Sequence, residues 1–165
     1  VLGPLTNPAE AKSLCMGVYD ARLTEPLAEV LGQLGATSAY VVHGFGGLDE
    51  LTTAGPNTVS ILKDGQVSSY TLNPAELGFA PANPADLLGG TAEENAQITR
   101  AILLGRDRSS RRDVVLLNAA AALVAAGKAA DLPTGIRMAA ESIDSGAAMD
   151  VLQKFVAFTN AGVVH

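Results

Sequence analysis

Residues 13–43 switch hydrophobic period twice, and that switch restricts the chain to few folds. Ser13 to Tyr19 is short and largely apolar, in the manner of a strand. Leu27, Val30, Leu31 and Leu34 then recur at i, i+3, i+4 and i+7, which lays one apolar stripe along a helix. Ala39 to His43, Ala-Tyr-Val-Val-His, is a second apolar strand. A strand, a helix and a strand joined by short links form a parallel βαβ unit, because the helix carries the chain back to the starting edge. Thr24 offers an N-cap, Pro26 sits in the first turn where its missing N–H costs nothing, and Gly35 closes the helix.

The next segments add an antiparallel element and a helical half. Gly44-Phe45-Gly46-Gly47-Leu48-Asp49-Glu50 reads as a Gly-rich turn ending in two carboxylates. Thr58–Lys63 and Gln66–Leu72 flank Asp64-Gly65, a strong hairpin signal. Residues 73–90, rich in Pro, Gly and Asn, read as a loop. Thr91 and Glu94 have capping-box spacing, and Gly105 follows the last apolar residues of that helix. Ser110 with Asp113 starts a second helix that runs through Ala126 and is apolar nearly all round, so it should be central. Pro133 suits the first turn of a third helix, ending about Asp144, and Ala147 to Phe158 forms a fourth. No internal repeat or linker stands out. The expectation is an α/β fold, a mixed sheet flanked by helices.

Composition excludes several classes of function. The chain has 165 residues, 48% of them hydrophobic and 17% charged, enough to pack one domain and inconsistent with a disordered chain. A net charge of −6 argues against a nucleic-acid partner, which needs a basic face. Aromatics are 4%, with no Trp, so base-stacking platforms are scarce. The single cysteine, Cys15 in Leu14-Cys15-Met16, reads as a small buried hydrophobe in a reducing, cytoplasmic setting. No apolar run reaches the ~18 residues of a membrane span, so no membrane association is expected. The chain opens at Val1 directly into Gly/Pro-rich connection chemistry, which suggests a fragment.

Asp49-Glu50 is the sharpest chemical feature. The pair stands just past a strand's C-terminal end, where open α/β sheets bind ligands. Two carboxylates there suit Mg²⁺, which takes one or two carboxylates plus substrate phosphates; an exposed acidic turn is the plainer reading. Gly44, Gly46 and Gly47 would let backbone approach a phosphate, but no GxGxxG is present. His43 reads as a base, a ligand or a hydrogen-bonded structural residue. Arg106, Arg108, Arg111 and Arg112 read as a solvated loop before a helix. Asn118 on an apolar helix needs a partner if buried, as packing glue or as a substrate contact.

Together these motifs resemble one family. Leu2-Gly3-Pro4-Leu5-Thr6-Asn7-Pro8-Ala9, Gly17-Val18-Tyr19, Val41-Val42-His43-Gly44 with Gly47-Leu48-Asp49-Glu50-Leu51, Gly89-Gly90-Thr91-Ala92-Glu93-Glu94-Asn95, Leu116-Leu117-Asn118-Ala119-Ala120 and Ile143-Asp144-Ser145-Gly146 are similar to segments of anthranilate phosphoribosyltransferases, in order. The resemblance implies transfer of a phosphoribosyl group from 5-phosphoribosyl 1-diphosphate to anthranilate, in tryptophan biosynthesis. It implies a mixed, mainly parallel sheet of the nucleoside phosphorylase/phosphoribosyltransferase type. It also implies Mg²⁺ held with the help of Asp49 and Glu50, and Gly3 and Pro4 lining the anthranilate site. No catalytic side chain is assigned in this chain.

By the same resemblance, residues 1–165 correspond to the C-terminal part of the α/β domain. The family's Gly-Thr-Gly-Gly-Asp diphosphate loop and its small helical domain would lie upstream, and the complete enzyme would be a homodimer. The isolated chain is then expected to be inactive. A pyrimidine nucleoside phosphorylase-like enzyme and a non-catalytic scaffold of the same fold are the alternatives.

Overall fold

A computed structural model of the chain describes residues 2–6 and 11–161. Its single sheet has the order β1-β2-β3-β4, from Ser13–Gly17, Ser38–His43, Asn57–Lys63 and Gln66–Leu72. β1 and β2 are parallel, and β2–β3 and β3–β4 are antiparallel. The sheet is mixed, as the sequence implied, but among the described residues it is not mainly parallel: two of its three pairings are antiparallel, because the Asp64-Gly65 hairpin adds β4 to β3 and β3 runs back along β2, and parallel pairing is confined to the βαβ unit. Asp64 and Gly65 both have positive φ (51° and 76°), the backbone that a two-residue hairpin with right-handed twist demands.

Period-two alternation sends successive side chains to opposite layers. On one face Met16, Val18, Ala39, Val41 and Leu62 pack against Leu27, Ala28 and Leu31 of α2, Thr24–Gln33. On the other, Tyr40, Val42, Val59 and Leu72 pack against Leu117, Ala120, Ala121 and Ala125 of α4, Ser110–Ala125. The far side of α4 meets α3 (Ala92–Leu103) and α5 (Leu132–Asp144) through Leu116, Ile102, Ala139 and Ile143. Between two layers α4 has no solvent face to fill with charge, which explains its nearly uniform apolar sequence. Only Ala122 along it is exposed.

The differences from expectation are local and physical. Leu2–Leu5 forms a single helical turn, α1, instead of an open connection; residues 7–10 lie outside the described set. Thr24 does not cap α2. Asp20 caps the preceding turn Ala21–Leu23 by accepting from Arg22 N, and Thr24 continues into the helix with its hydroxyl bonded back to Ala21 O. Ser109, not Ser110, caps α4. Cys15 is exposed: β1 lies at the edge of the sheet. Residues 73–90 contain two turns of identical design. Asn73-Pro74-Ala75-Glu76-Leu77 and Asn83-Pro84-Ala85-Asp86-Leu87 each form a 3₁₀ turn whose asparagine accepts from the N–H two residues on. The chain therefore does carry a short repeat.

The arginine run is not simply solvated. Arg112 is 7% exposed and forks onto Asp144 at the end of α5, with Nη1–Oδ1 and Nη2–Oδ2 distances of 2.8 and 3.0 Å. That hydrogen bonding holds the Asp144 carboxyl below its ordinary pKa. A lowered acid pKa contributes stability that is complete above the unfolded-state value and is lost as pH falls through the folded-state value. Asp144→Asn should therefore lower the urea midpoint at neutral pH, with the gap to wild type closing as pH drops through the carboxylate range. A gap independent of pH would exclude this pair as its source.

Candidate functional site

The acidic pair is set at the strand ends by close backbone approach. β2 ends at His43, and Gly44 then pairs with Leu48 in an isolated antiparallel bridge, Gly44 N donating to Leu48 O at 2.8 Å. Gly46 and Gly47 take φ values of +79° and +89° in the intervening turn, so these glycines serve the turn itself. The chain then passes across the C-terminal ends of both parallel strands. A Cβ on Gly17, the last residue of β1, would lie 1.5 Å from Asp49 O, and one on Gly44 would lie 2.2 Å from Glu50 O. Bare Cα atoms at these two positions let the acidic segment lie directly on the strand ends, the ligand edge of open α/β sheets.

Both carboxylates face outward. Asp49 and Glu50 are exposed, and among the described residues neither makes a side-chain hydrogen bond or ion pair. Glu50 lines a cleft of about 270 Å³ together with Leu48, Thr52, Asn95 and Arg111. It also borders a more apolar cleft of about 200 Å³ with Phe45, Pro84 and Leu87. Partial burial raises the Glu50 pKa, and the Asp49 charge beside it adds to the rise. A bound cation would reverse the second effect. No group of three or more His, Cys, Asp or Glu residues assembles among the described residues. A set of two carboxylates and no soft ligand fits Mg²⁺, which completes its shell with water and substrate phosphates, and does not fit a structural zinc site.

Arg111 straps the cleft wall. It donates from Nε to Asp86 O at 2.8 Å and from Nη2 to Leu88 O at 3.1 Å, tying the second Asn-Pro-Ala turn to α4. The next residues are held in turn: Asn95 accepts from Gly90 N and donates to Gly90 O, and Thr91 and Glu94 complete the reciprocal capping box at the start of α3. His43 is a structural residue, with Nδ1 2.8 Å from Val18 O, a contact that places the proton on Nδ1. Asn118 is glue: its amide bonds the backbone of Leu51, just past the acidic pair.

The two halves of the expected site are differently placed. Asp49 and Glu50 stand together at the strand ends. Gly3 is exposed in α1, with open space where a Cβ would project, and the Pro4 side chain lies outside the described set. α1 meets the body through Leu5, which packs on the Met16, Val18 and Leu27 cluster. Residue reading gave Gly17 and Asn57 no role at the site, took Gly44 for an approach to phosphate, and left Arg111 in a solvated run. The repeated Asn-Pro-Ala pentapeptide was the available signal for the strapped wall.

A mixed sheet with an acidic turn on its parallel strand ends and helices on both faces defines a class, and comparison with known proteins names it. Residues 1–149 match the family model described as "Glycosyl transferase family, a/b domain", and the chain belongs to that family. Within it, the chain is similar to proteins named anthranilate phosphoribosyltransferase. It is 53% identical to that of Moorella thermoacetica over 98% of this chain and 47% of the relative, and 52% identical to that of Symbiobacterium thermophilum over 97% and 47%. The solved Thermus thermophilus enzyme superposes with a TM-score of 0.87 at 41% identity, over 95% of this chain and 46% of that one. The Saccharomyces cerevisiae enzyme in complex with PRPP and Mg superposes at 0.86 with 27% identity, over 98% and 46%. The chain spans about half the length of the curated relatives it matches.

The glycine contacts carry a test. Gly17→Ala must push the acidic segment off the strand end and should cost about 1–3 kcal/mol or more. Gly3→Ala meets nothing within 4 Å and should leave stability unchanged. Thermal melts of the two variants check this; equal melting temperatures would refute the close-approach account.

Proposed function

We propose that this chain is the C-terminal part of the α/β domain of an anthranilate phosphoribosyltransferase. The complete protein then transfers a phosphoribosyl group from 5-phosphoribosyl 1-diphosphate to anthranilate, giving N-(5-phosphoribosyl)anthranilate and diphosphate in tryptophan biosynthesis. The observation that carries this reading is the 53% identity to the Moorella protein of that name across 98% of the chain. The acidic pair supports it: the yeast relative was solved in complex with PRPP and Mg, and the two carboxylates here suit that ion.

In this reading Asp49 and Glu50 would hold Mg²⁺ directly or through its waters, and the ion would supply charge neutralisation for the leaving diphosphate. Arg111 and the capped start of α3 hold the cleft wall opposite Glu50. Gly3 and Pro4 belong to the anthranilate side; an exposed glycine offers backbone without bulk to a flat aromatic acid. Anthranilate's amine is neutral at neutral pH, so the residues' task is to align substrates instead of removing a proton. The diphosphate loop and the small helical domain lie upstream in the complete protein, which is a cytoplasmic homodimer. No helix among the described residues is long and apolar enough to cross a membrane.

Two exposed features fit a chain completed by further sequence. Among the described residues β1 has one unpaired edge, and α6, Ala147–Ala161, buries only Met149 while exposing Val151, Phe155 and Phe158.

The isolated 165-residue chain should show no phosphoribosyl transfer, and adding the upstream half should restore it. In the complete protein, Asp49→Asn with Glu50→Gln should raise the Mg²⁺ concentration needed for half-maximal initial rate and leave the KM for anthranilate nearly unchanged. Superimposable Mg²⁺ curves for the two proteins would return the pair to an ordinary surface turn.

A further inference from the structure

Directly behind the acidic pair the chain is irregular yet fully buried. Leu51, Thr52 and Thr53 are 0%, 0% and 2% exposed, and none lies in a strand or helix. Their peptide groups have no sheet partners. At Leu51 and Thr52 two side-chain amides supply partners instead. Asn118 of α4 accepts from Leu51 N at 3.0 Å and donates to Leu51 O at 2.7 Å, with a second donation to Val114 O at 2.9 Å. Asn57, at the start of β3, accepts from Thr52 N at 2.8 Å and donates to Thr52 O at 3.0 Å and Gly55 O at 3.2 Å. Each carboxamide thus acts as a neighbouring strand would, engaging both the N–H and the C=O of one residue. The amide orientation is fixed in both cases, because a flipped group would set NH₂ against N–H and oxygen against two carbonyls.

We propose that Asn118 and Asn57 are positioning residues for the Asp49-Glu50 metal site, holding its backbone in place before any metal binds. The Leu51 N–H and Glu50 C=O belong to one planar peptide. Asn118 holds one end of that plane, and Gly44 closes against the other, since a Cβ there would lie 2.2 Å from Glu50 O. Asn57 fixes the peptide that follows Leu51. The two carboxylates are left with only their side-chain torsions to search. Groups that orient metal ligands from behind typically change metal affinity by about 10–100-fold when removed. This inference rests on the metal reading of Asp49 and Glu50, and its test separates the two.

Amide hydrogen exchange on the metal-free complete protein comes first and needs no variant. The Leu51 and Thr52 amides should exchange as slowly as those of β2 and β3. Fast exchange that slows only on adding Mg²⁺ with 5-phosphoribosyl 1-diphosphate would overturn the proposal. Mn²⁺ affinity is then read by electron paramagnetic resonance in the presence of the same donor. Asn118→Ala should weaken Mn²⁺ by about tenfold or more and expose the Leu51 amide to exchange. Leu31→Ala, a core truncation in α2 on the opposite face of the sheet, should lower stability and leave Mn²⁺ affinity unchanged. If Asp49→Asn with Glu50→Gln removes Mn²⁺ binding but Asn118→Ala does not weaken it, the positioning role fails and the metal reading stands. If the double carboxylate variant binds Mn²⁺ as wild type does, both fail.

Discussion

Buried backbone must find hydrogen-bond partners, and the segment from Leu51 to Thr53 must find them without regular structure. An unpaired buried peptide group costs about 1–3 kcal/mol, so such a segment exists only where side chains complete it. Asn118 and Asn57 do so, and both sit on elements that cannot easily move. α4 is enclosed between the sheet and two helices, and β3 is paired on both sides. The acidic pair is therefore anchored to two elements packed inside the fold, even though its own side chains are exposed. The same logic explains Gly17 and Gly44. A segment lying across strand ends at backbone contact distance tolerates no Cβ beneath it.

Much of this was legible from residue patterns. The two period switches in 13–43 located β1, α2 and β2 to within a residue or two, and Asp64-Gly65 located the hairpin. The uniform apolarity of the 110–126 segment predicted a central helix, and α4 is one. These signals are local, because periodicity and turn chemistry are properties of neighbouring residues. Asp49 and Glu50 were legible as a pair for the same reason.

What was not legible depends on contacts between distant parts of the chain. Asn118 was visible as an oddity on an apolar helix, but its partner Leu51 is 67 residues away in sequence. Arg112 looked like one of four exposed cations until Asp144, 32 residues on, was brought beside it. Cys15 looked buried because its neighbours are apolar, and strand order alone makes β1 an edge. Gly3 and Pro4 carry no local chemistry at all; their proposed role rests on resemblance to the family. α6 exposes Val151, Phe155 and Phe158, and among the described residues β1 is an edge strand; neither feature could be read from local periodicity.

The central claim is that the fold presets the acidic pair for a metal. Anomalous diffraction from crystals of the complete protein, grown without metal and then with Mn²⁺ and 5-phosphoribosyl 1-diphosphate, tests it most directly. The account predicts a manganese peak held by the Asp49 and Glu50 carboxylates, directly or through bound water, with the Leu51 and Thr52 backbone superimposable between the two crystals. A peak remote from both carboxylates, or a 49–52 segment rebuilt on metal binding, would contradict it.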